Sequence, residues 1–362
     1  MRLRVATYNV NNLFERANLM QLDGFSDQAS NVLTDVQRLN TLLASVHYDA
    51  ATKAEIKDLL ERYQLHRDGG NPWFGVNQIR KKLFSKNTDG SGVTIQAAGR
   101  ASWFGWVDVL RGPVPEASTD NTARALAAVN ADLQCLVEVE SRTTLKHFNQ
   151  QILGALTTPF PHAMVIDGND DRGIDVGVLS RWPIRSVRSH VDDHDDVGTI
   201  FSRDCPEYEI ALPGGKLISL LCNHFKSKAY GTGAGNNQKR ARQARRVHEI
   251  LARFDLAVDL VAVAGDLNDT PDSHTLAQLL QTPGLHDVLD SQLLSGPRWT
   301  YQDGRDQIDY LLVSTALMDR LAAVGIERRG IFRQDGDHFP EVTGKVNQAS
   351  DHAAVWADFD IP

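Results

Sequence analysis

Cysteine is scarce in this sequence, with three residues among 362, Cys135, Cys205 and Cys222. Their positions do not match the spacing of a cysteine-bound metal site. Cys135 and Cys222 lie within apolar runs, where buried thiols are common. We therefore predict reduced cysteines with a structural role.

Long apolar runs are also lacking. No stretch reaches the roughly 18 apolar residues of a membrane-spanning helix, and residues 1–8 alternate polar and apolar side chains instead of forming the apolar core of a secretory signal. Hydrophobic residues make up 42% of the chain and charged residues 23%, as is usual for soluble proteins. The sequence predicts a cytoplasmic protein without a membrane partner and gives no indication of its oligomeric state.

Acidic residues are missing from one region of an otherwise acidic chain. The net charge of -8 argues against non-specific coating of nucleic acid. Between Glu209 and Glu249, however, there is no Asp or Glu, and Lys and Arg are frequent. In this basic segment Lys226, Lys228 and Arg242 are predicted to bind an anionic substrate, and a solvated helix face is the alternative.

Short aliphatic runs mix with helical periodicities along the chain. Predicted strands are Arg4–Tyr8, Leu133–Glu138, Ile174–Leu179, Leu217–Asn223, Leu260–Ala264, Ile308–Val313 and Ala353–Phe359. Predicted helices are Thr122–Ala131, Thr144–Leu156 and Asn237–Phe254. Because no regular βαβ repeat appears, the pattern indicates an α/β (α+β) fold built as a layered sandwich.

Residues 15–118 differ from the rest. Helical spacing at Val32–Val46 and Ala54–Tyr63 precedes two possible strands within Lys81–Arg100. We find no linker, so we predict one domain, 1–362, with a large insertion at 15–118 that leaves the first strand beside the candidate site and restricts access to it. The aromatic residues of the insertion either stack on unpaired bases or form its own core: Trp73, Phe74, Trp103, Phe104 and Trp106.

A polar cluster follows the apolar run that ends at Ala264. Asp266 and Asn268 lie two residues apart, which places both on one side of an extended chain. A carboxylate accepts a hydrogen bond from water and an amide donates to a phosphoryl oxygen, so the pair suits a metal-bound phosphate. Taken alone, this motif is more often an Asp/Asn-rich turn.

His352 precedes the last predicted strand. An ordinary histidine titrates near pH 6.5 and can take a proton from an attacking water when a carboxylate fixes its tautomer. Asp309, at the start of another strand, is the candidate partner. A structural histidine at a strand end is the alternative for His352.

Further polar residues occupy three other strand ends. Asn9 and Asn11 share one face of the first strand, and His224 follows another strand. Glu138 ends a buried strand, where an isolated carboxylate is costly, so it needs a metal ion or an arginine as a partner.

Taken in order, these motifs resemble the endonuclease/exonuclease/phosphatase (DNase I-like) superfamily, which includes deoxyribonucleases, abasic-site nucleases, sphingomyelinases and inositol-polyphosphate phosphatases. The resemblance covers nearly the whole chain outside 15–118. It implies a four-layer αββα sandwich with two facing mixed β-sheets and a site at one end of them. The motifs are Tyr8–Asn11, Leu136–Val139, Gly173–Ser180, Asn223-His224, Gly265–Asn268, Ile308–Tyr310 and Ser350–His352.

The resemblance also implies a Mg²⁺ or Mn²⁺ cofactor. Glu138 would ligate the ion, with Asn11 nearby and Asp351 completing the shell. Asp266 would orient the attacking water or hold a second metal. Asn11 stands where the family often has Asp, which removes a negative charge, and Val137 stands where Gln is usual.

The remaining roles follow from the same resemblance. His352 would be the general base or a phosphate contact, oriented by Asp309. Asn9 would contact the phosphate or a metal-bound water. Asn268 would bind the phosphate, and His224 would stabilise its developing charge. A further phosphate contact is predicted at Arg172, for which a surface pair with Asp170 or Asp171 is the alternative.

The substrate class is narrowed by what is missing. The Trp and Arg signatures of inositol-phosphate phosphatases do not appear, and the lack of a secretion signal disfavours a sphingomyelinase. We therefore predict a hydrolase of phosphoric esters, a nuclease acting on DNA or RNA. The alternatives are a phosphodiesterase or phosphatase for a small phosphorylated metabolite or lipid head group, and a non-catalytic binding module of the same fold.

Overall fold

The computed structural model describes residues 1–17, 27–67, 71–88, 92–113, 117–228, 232–302, 305–334 and 336–362. The chain divides into two compact units. Met1–Phe14 and Pro115–Pro362 form the sandwich unit, and Glu15–Val114 form the inserted unit.

In chain order the strands are β1 (Arg2–Leu13), β2 (Glu15–Ala17), β3 (Phe74–Arg80), β4 (Phe84–Lys86), β5 (Val93–Ile95), β6 (Phe104–Val109), β7 (Arg111–Pro113), β8 (Leu133–Val139), β9 (His162–Ile166), β10 (Asp175–Ser180), β11 (Ile184–Arg188), β12 (His194–Asp195), β13 (Gly198–Thr199), β14 (Glu207–Ala211), β15 (Leu217–His224), β16 (Leu260–Asp266), β17 (Leu285–Asp287), β18 (Asp309–Ser314), β19 (Leu321–Glu327) and β20 (Ala354–Asp360). The α-helices are α1 (Asp27–Leu43), α2 (Ala50–Arg62), α3 (Ala117–Val129), α4 (Arg142–His147), α5 (Gly233–Leu251), α6 (Ala277–Leu280) and α7 (Thr315–Met318).

Two six-stranded mixed sheets form the centre of the sandwich unit. The strand order is β19-β20-β1-β8-β10-β9 in the first sheet and β11-β14-β15-β16-β18-β17 in the second. The pairs β1/β8 and β15/β16 are parallel, and the neighbouring strands are antiparallel. Buried side chains of both sheets, such as Val5, Val178, Leu220 and Val313, share one hydrophobic core. The two sheets therefore pack face to face.

Helices cover the outer face of each sheet. Leu126 of α3 and Leu145 of α4 pack with Leu136 against the first sheet. Val247 of α5 packs with Val261 against the second. Each strand provides side chains both to the core between the sheets and to the contacts with the outer helices, because successive strand side chains point to opposite sides. The predicted four-layer αββα sandwich of the α/β class is thereby confirmed.

The predicted elements of the sandwich unit correspond to β1, β8, β10, β15, β16, β18 and β20, and to α3, α4 and α5. The prediction of one continuous α-helix over Thr144–Leu156 is wrong, because the α-helix ends at His147. After α4 the chain forms a π turn at Phe148–Ile152 and a 3-10 turn at Leu153–Ala155. Within it the Asn149 amide bonds both the N–H and the C=O of Phe160, a side-chain to backbone contact that competes with regular helix geometry.

The inserted unit has its own core. Helices α1 and α2 pack with the β3/β6 and β4/β5 hairpins through buried residues that include Leu39, Ile56 and Leu60. Between β4 and β5 the dipeptide Asp89-Gly90, which is typical of a turn, lies outside the described residues. Phe74 and Trp103 belong to this core, Trp73 packs against it, and Phe104 and Trp106 are exposed. Phe74, Trp103 and Trp73 therefore contribute to the insertion's own core, and base stacking by the exposed Phe104 and Trp106 stays a prediction.

All three cysteines are buried and free, as predicted. In the part of the chain that the structure describes, no helix has the length and apolar character needed to cross a membrane.

Candidate active site

Strand direction gathers the polar residues at one end of the sheets. β1, β8, β15 and β16 end there, and β18 and β20 begin there because they run antiparallel to their neighbours. In the second sheet His224 pairs with Asp266, which in turn pairs with Asp309. Residues distant in sequence thus meet at one place through register alone.

Asp266 is the centre of a hydrogen-bond network. Its Oδ1 accepts from the backbone N–H of Asn268 at 2.8 Å. Its Oδ2 accepts from the side-chain amides of Asn9 at 3.1 Å and Asn268 at 3.2 Å. Burial raises the pKa of Asp266 above that of an ordinary carboxyl group, and the asparagine donors oppose the rise only in part.

His352 and Asp309 form a buried pair beside this network. His352 Nδ1 lies 2.9 Å from Asp309 Oδ2, while Nε2 lies 3.9 Å from Asp266 Oδ2 and 4.0 Å from Asp351 Oδ1. Burial by itself lowers the pKa of His352, but the carboxylates, Asp309 foremost, outweigh it and raise the pKa above its ordinary value. The Nε2 side of the imidazole therefore faces the other acidic groups.

Backbone strain is concentrated at this end of the sheets. Asn11, Glu138 and Asn268 have φ values of 51°, 68° and 56°, in the left-handed region that non-glycine residues rarely adopt. The β1/β8 ladder changes register after Asn9, next to two of them. Such conformations cost about 1–3 kcal/mol each and persist where the surrounding structure fixes them, often at functional sites.

A buried arginine that the sequence analysis missed lies against His224. Arg203 Nε donates to His224 Nδ1 at 3.1 Å, and Arg203 Nη1 lies 3.7 Å from Asp170 Oδ2. Burial lowers the pKa of His224 well below its ordinary range, and Arg203 lowers it further. His224 is thus neutral. Arg203 stands in an irregular segment before β14, where no periodic pattern marks a residue as buried.

The described residues fit a divalent cation. Glu138 and Asp266 are largely buried carboxylates whose pKa values burial raises, so their charges are poorly compensated. Asp309 Oδ1 is buried without a hydrogen-bond partner among the described residues. Ligand atoms of Asp266, Asp309 and His352 all lie within 4.8 Å of one another. Asp266 of this group also belongs to the predicted ligand set, and Mg²⁺ prefers carboxylate oxygens such as those of Asp266.

Glu138 joins the network through His224. His224 Nε2 lies 3.9 Å from both Glu138 Oε1 and Asp266 Oδ2. Glu138 is also near Asp351 and Asn9, which raise and lower its pKa respectively. Asn11 is exposed and donates its backbone N–H to Asn9 Oδ1 at 3.1 Å. The predicted metal and catalytic residues are therefore close together.

The basic segment did not assemble as predicted. Arg242 is buried and its Nε donates to Asp195 at 2.8 Å. Arg246 likewise pairs with Asp193 at 2.7 Å. Acidic residues of the segment 192–196 thus pair with the arginines of α5, and a solvated helix face does not describe the buried Arg242 either. We do not retain Arg242 among the proposed substrate contacts.

The other predicted substrate contacts lie nearer the site. Lys228 Nζ pairs with Asp269 at 2.8 Å. Arg172 Nη2 pairs with Asp170 at 2.7 Å, which is the predicted alternative for this residue. Burial lowers the pKa of Lys226, and Arg203 and Arg172 lower it further, so these three cations are close enough to repel one another.

The loop leading to Arg203 is held by a buried histidine. His190 Nδ1 lies 2.8 Å from Asp193 Oδ2, and Nε2 contacts Glu207. Burial lowers the pKa of His190, but the two carboxylates outweigh it and raise the pKa above the ordinary value. Donation from both ring nitrogens requires the imidazolium form.

Replacing His190 with alanine is expected to destabilise the protein more at pH 6 than at pH 9. The folded pKa is raised, so the stabilisation is complete below the unfolded value near 6.5 and is lost as the pH rises through the folded pKa. Hydrogen bonds to charged groups contribute about 2 kcal/mol. Urea unfolding at both pH values measures the difference, with exposed His194→Ala as the control. An equal loss at both pH values would contradict the role of the charge.

Most of this sequence matches a known protein family. A sequence profile of the Endonuclease/Exonuclease/phosphatase family matches residues 103–352. The chain belongs to this family, which confirms the predicted resemblance. No curated protein matches the sequence significantly.

Solved structures of low sequence identity are similar to it. A family protein from Bacteroides thetaiotaomicron has a TM-score of 0.53 and 12% identity, covering 100% of this chain and 99% of its own. One from Leptotrichia buccalis has a TM-score of 0.50 and 14% identity, covering 67% and 93%. Truncated TDP2 of Caenorhabditis elegans has a TM-score of 0.46 and 19% identity, covering 67% and 90%. The first two support the shared fold.

Proposed function

We propose that this protein is a metal-dependent phosphodiesterase that acts as a nuclease on DNA or RNA. The observation that carries the proposal is the buried His352–Asp309 pair, which opens toward Asp266 and its two asparagine donors at one end of facing sheets. Imidazole, carboxylate and amide groups at one spot are what attack of water on a phosphodiester requires.

The pKa shifts favour different catalytic roles for Asp266 and His352. Burial moves the pKa of Asp266 toward neutrality, which suits a group that orients the attacking water and takes its proton. His352, with a raised pKa, is suited to donate to a phosphoryl oxygen, with Asp309 fixing its ring. Action of His352 as the general base is the other role compatible with this placement. Asn268 and Asn9 hold Asp266, and His224 contributes a polar ring beside it.

Glu138, Asn11, Asp351 and Asp266 are the residues that would hold Mg²⁺ or Mn²⁺. When bound, the ion supplies a positive charge that stabilises the phosphoryl oxygens during attack. Compensation of the acidic cluster also reduces the penalty of keeping these carboxylates buried.

A polynucleotide substrate is supported by cations around His224. Arg203 and Arg172 lower the pKa of His224 and of Lys226, so three cations lie near one another on one side of the site, where Asp170 pairs with Arg172 and lies 3.7 Å from the buried Arg203. A polynucleotide carries several phosphates that can contact several cations at once, whereas a small phosphodiester carries only one.

Hydrolysis is expected to require a divalent cation. We expect bis(p-nitrophenyl) phosphate to be cleaved with Mg²⁺ or Mn²⁺ and to be spared in excess EDTA, with activity restored by adding metal back. Labelled DNA and RNA oligonucleotides, single and double stranded, test the nuclease assignment under the same conditions. Full activity in EDTA would refute metal dependence. Cleavage of the small diester with every oligonucleotide intact would refute the nuclease assignment.

A further inference from the structure

The inserted unit carries a second cationic surface, which includes Arg80, Lys81 and Arg100. Between residues 69 and 107 the sequence has Arg80, Lys81, Lys82, Lys86 and Arg100 against one acid, Asp89. Within the described part of the chain, Arg80, Lys81 and Arg100 make no ion pair with a carboxylate, whereas Arg242 and Arg246 do. The positive field at this surface is therefore available to an external anion.

A cavity of about 360 Å³ lies at this surface, lined by Arg80, Lys81, Arg100, Ala101, Trp103 and Phe104. Its base is rigid. Trp103 is buried and donates its indole N–H to Tyr48 at 2.9 Å, and the Arg100 guanidinium lies 5.0 Å from the centre of the Trp103 ring. Arg100 Nη2 also donates to the carbonyl of Gly105 at 3.0 Å. One cation is thus held against the ring, and the described residues that line the cavity include no acidic one.

Two large aromatic rings stand exposed beside the cavity. Phe104 is 53% exposed and Trp106 is 46% exposed, on the outer face of β6. Cross-strand pairing places Arg80 directly opposite Phe104. The rings are 6.4 Å apart and inclined at 79°, an edge-to-face contact in which they do not cover one another by stacking. Exposure of two such rings together is unusual for a surface with no ligand.

We propose that this surface, formed by Arg80, Lys81, Arg100, Phe104 and Trp106, binds an unpaired polynucleotide strand. Unpaired strands are bound by cations that follow the phosphates and aromatic rings on which bases stack. An acidic protein partner would pair with the cations, but its carboxylate side chains have no planar bases to stack on the two aromatic rings. A duplex would reach the cations while keeping its bases stacked internally. The combination on β3 and β6 therefore favours a strand with accessible bases.

Binding can be tested without catalysis. Fluorescence anisotropy of a labelled single-stranded oligothymidylate, in excess EDTA, measures Kd for the full-length protein. Trp106→Ala is expected to weaken binding by roughly 5- to 150-fold, the range that one lost base stack produces. Arg80→Glu with Lys81→Glu is expected to weaken binding and to reduce its dependence on salt concentration. Lys57→Glu, an exposed charge reversal on α2, is the matched control and is expected to leave Kd within about twofold.

Three outcomes overturn the inference. They are an unchanged Kd in both test variants, equal effects of Trp106→Ala on single-stranded and duplex DNA, and displacement of the strand by polyglutamate as effective as by unlabelled strand. Thermal unfolding checks that each variant is folded. The inference does not require the proposed hydrolysis, because binding is measured in excess EDTA, where no hydrolysis is expected. If the parent protein binds the strand but hydrolyses no phosphodiester, only the proposed function is rejected. If the parent protein hydrolyses phosphodiesters but does not bind the strand, only this inference is rejected.

Discussion

Replacement of His352 by alanine is expected to lower kcat for phosphodiester hydrolysis by roughly 10²–10⁴-fold, the contribution of a positioned acid, base or charged donor. The reason is geometric. His352 is buried, its Nδ1 is bound to Asp309 at 2.9 Å, and its Nε2 faces Asp266 at 3.9 Å. Nothing else among the described residues places an imidazole at that point with its ring fixed by a carboxylate, since His224 is held by Arg203 instead.

Steady-state kinetics with bis(p-nitrophenyl) phosphate and saturating Mn²⁺ measures the loss, and thermal unfolding checks that the variant is folded. His286→Ala, on the exposed face of β17, is the matched control and is expected to keep kcat. Asp309→Asn keeps a side chain of the same shape but removes the charge that raises the His352 pKa. It is therefore expected to shift the pH profile as well as to lower kcat. A folded His352→Ala enzyme within about threefold of the parent would refute the assigned site.

The fold and the centre of the site could be predicted because both depend on local pattern. Asn9, Glu138, Asp266 and His352 stand at or next to the ends of apolar runs, and strand ends at one edge of a sheet are neighbours in space. The order of these motifs then identified the family. None of this required knowledge of long-range contacts beyond the usual pairing of strands.

Charge pairing could not be predicted in the same way. The sequence alone predicts a basic segment that includes the arginines of α5, but Asp193 and Asp195, roughly fifty residues earlier, pair with them. Arg203 gave no signal either, because a buried arginine in an irregular segment looks like a surface one until its partner His224 is in place. Ion pairs between distant segments depend on tertiary structure, and composition alone does not reveal them.

The strained backbone was equally hidden. Asn tolerates the left-handed region, so positive φ values at Asn11 and Asn268 are unsurprising once seen. Glu138 has no such tolerance, and a φ of 68° at such a residue persists only where the surrounding structure fixes it. Sequence patterns describe which face a residue occupies, but they carry no information about a single unfavourable torsion.

Substitution of Gly265 by alanine is expected to destabilise the protein by about 3 kcal/mol or more and to abolish hydrolysis. Gly265 has φ of +142°, and a Cβ there would lie 1.9 Å from the carbonyl oxygen of Asn223 on the neighbouring strand. The obstacle is backbone within the β15/β16 ladder, so the strands themselves would have to separate. Forbidden torsion and steric overlap then add in one central position.

Gly296→Ala is the matched control. Gly296 also has a positive φ, +88°, but a Cβ there would have nothing within 4 Å, so its cost is the torsion alone, about 1 kcal/mol. Urea unfolding of both variants separates overlap from torsion. Equal destabilisation of the two would show that the strands move apart freely. Activity should follow the same division, because Asp266 is the next residue after Gly265 and pairs with both His224 and Asp309. A displacement of about 1 Å there is enough to cost about 10²-fold in rate.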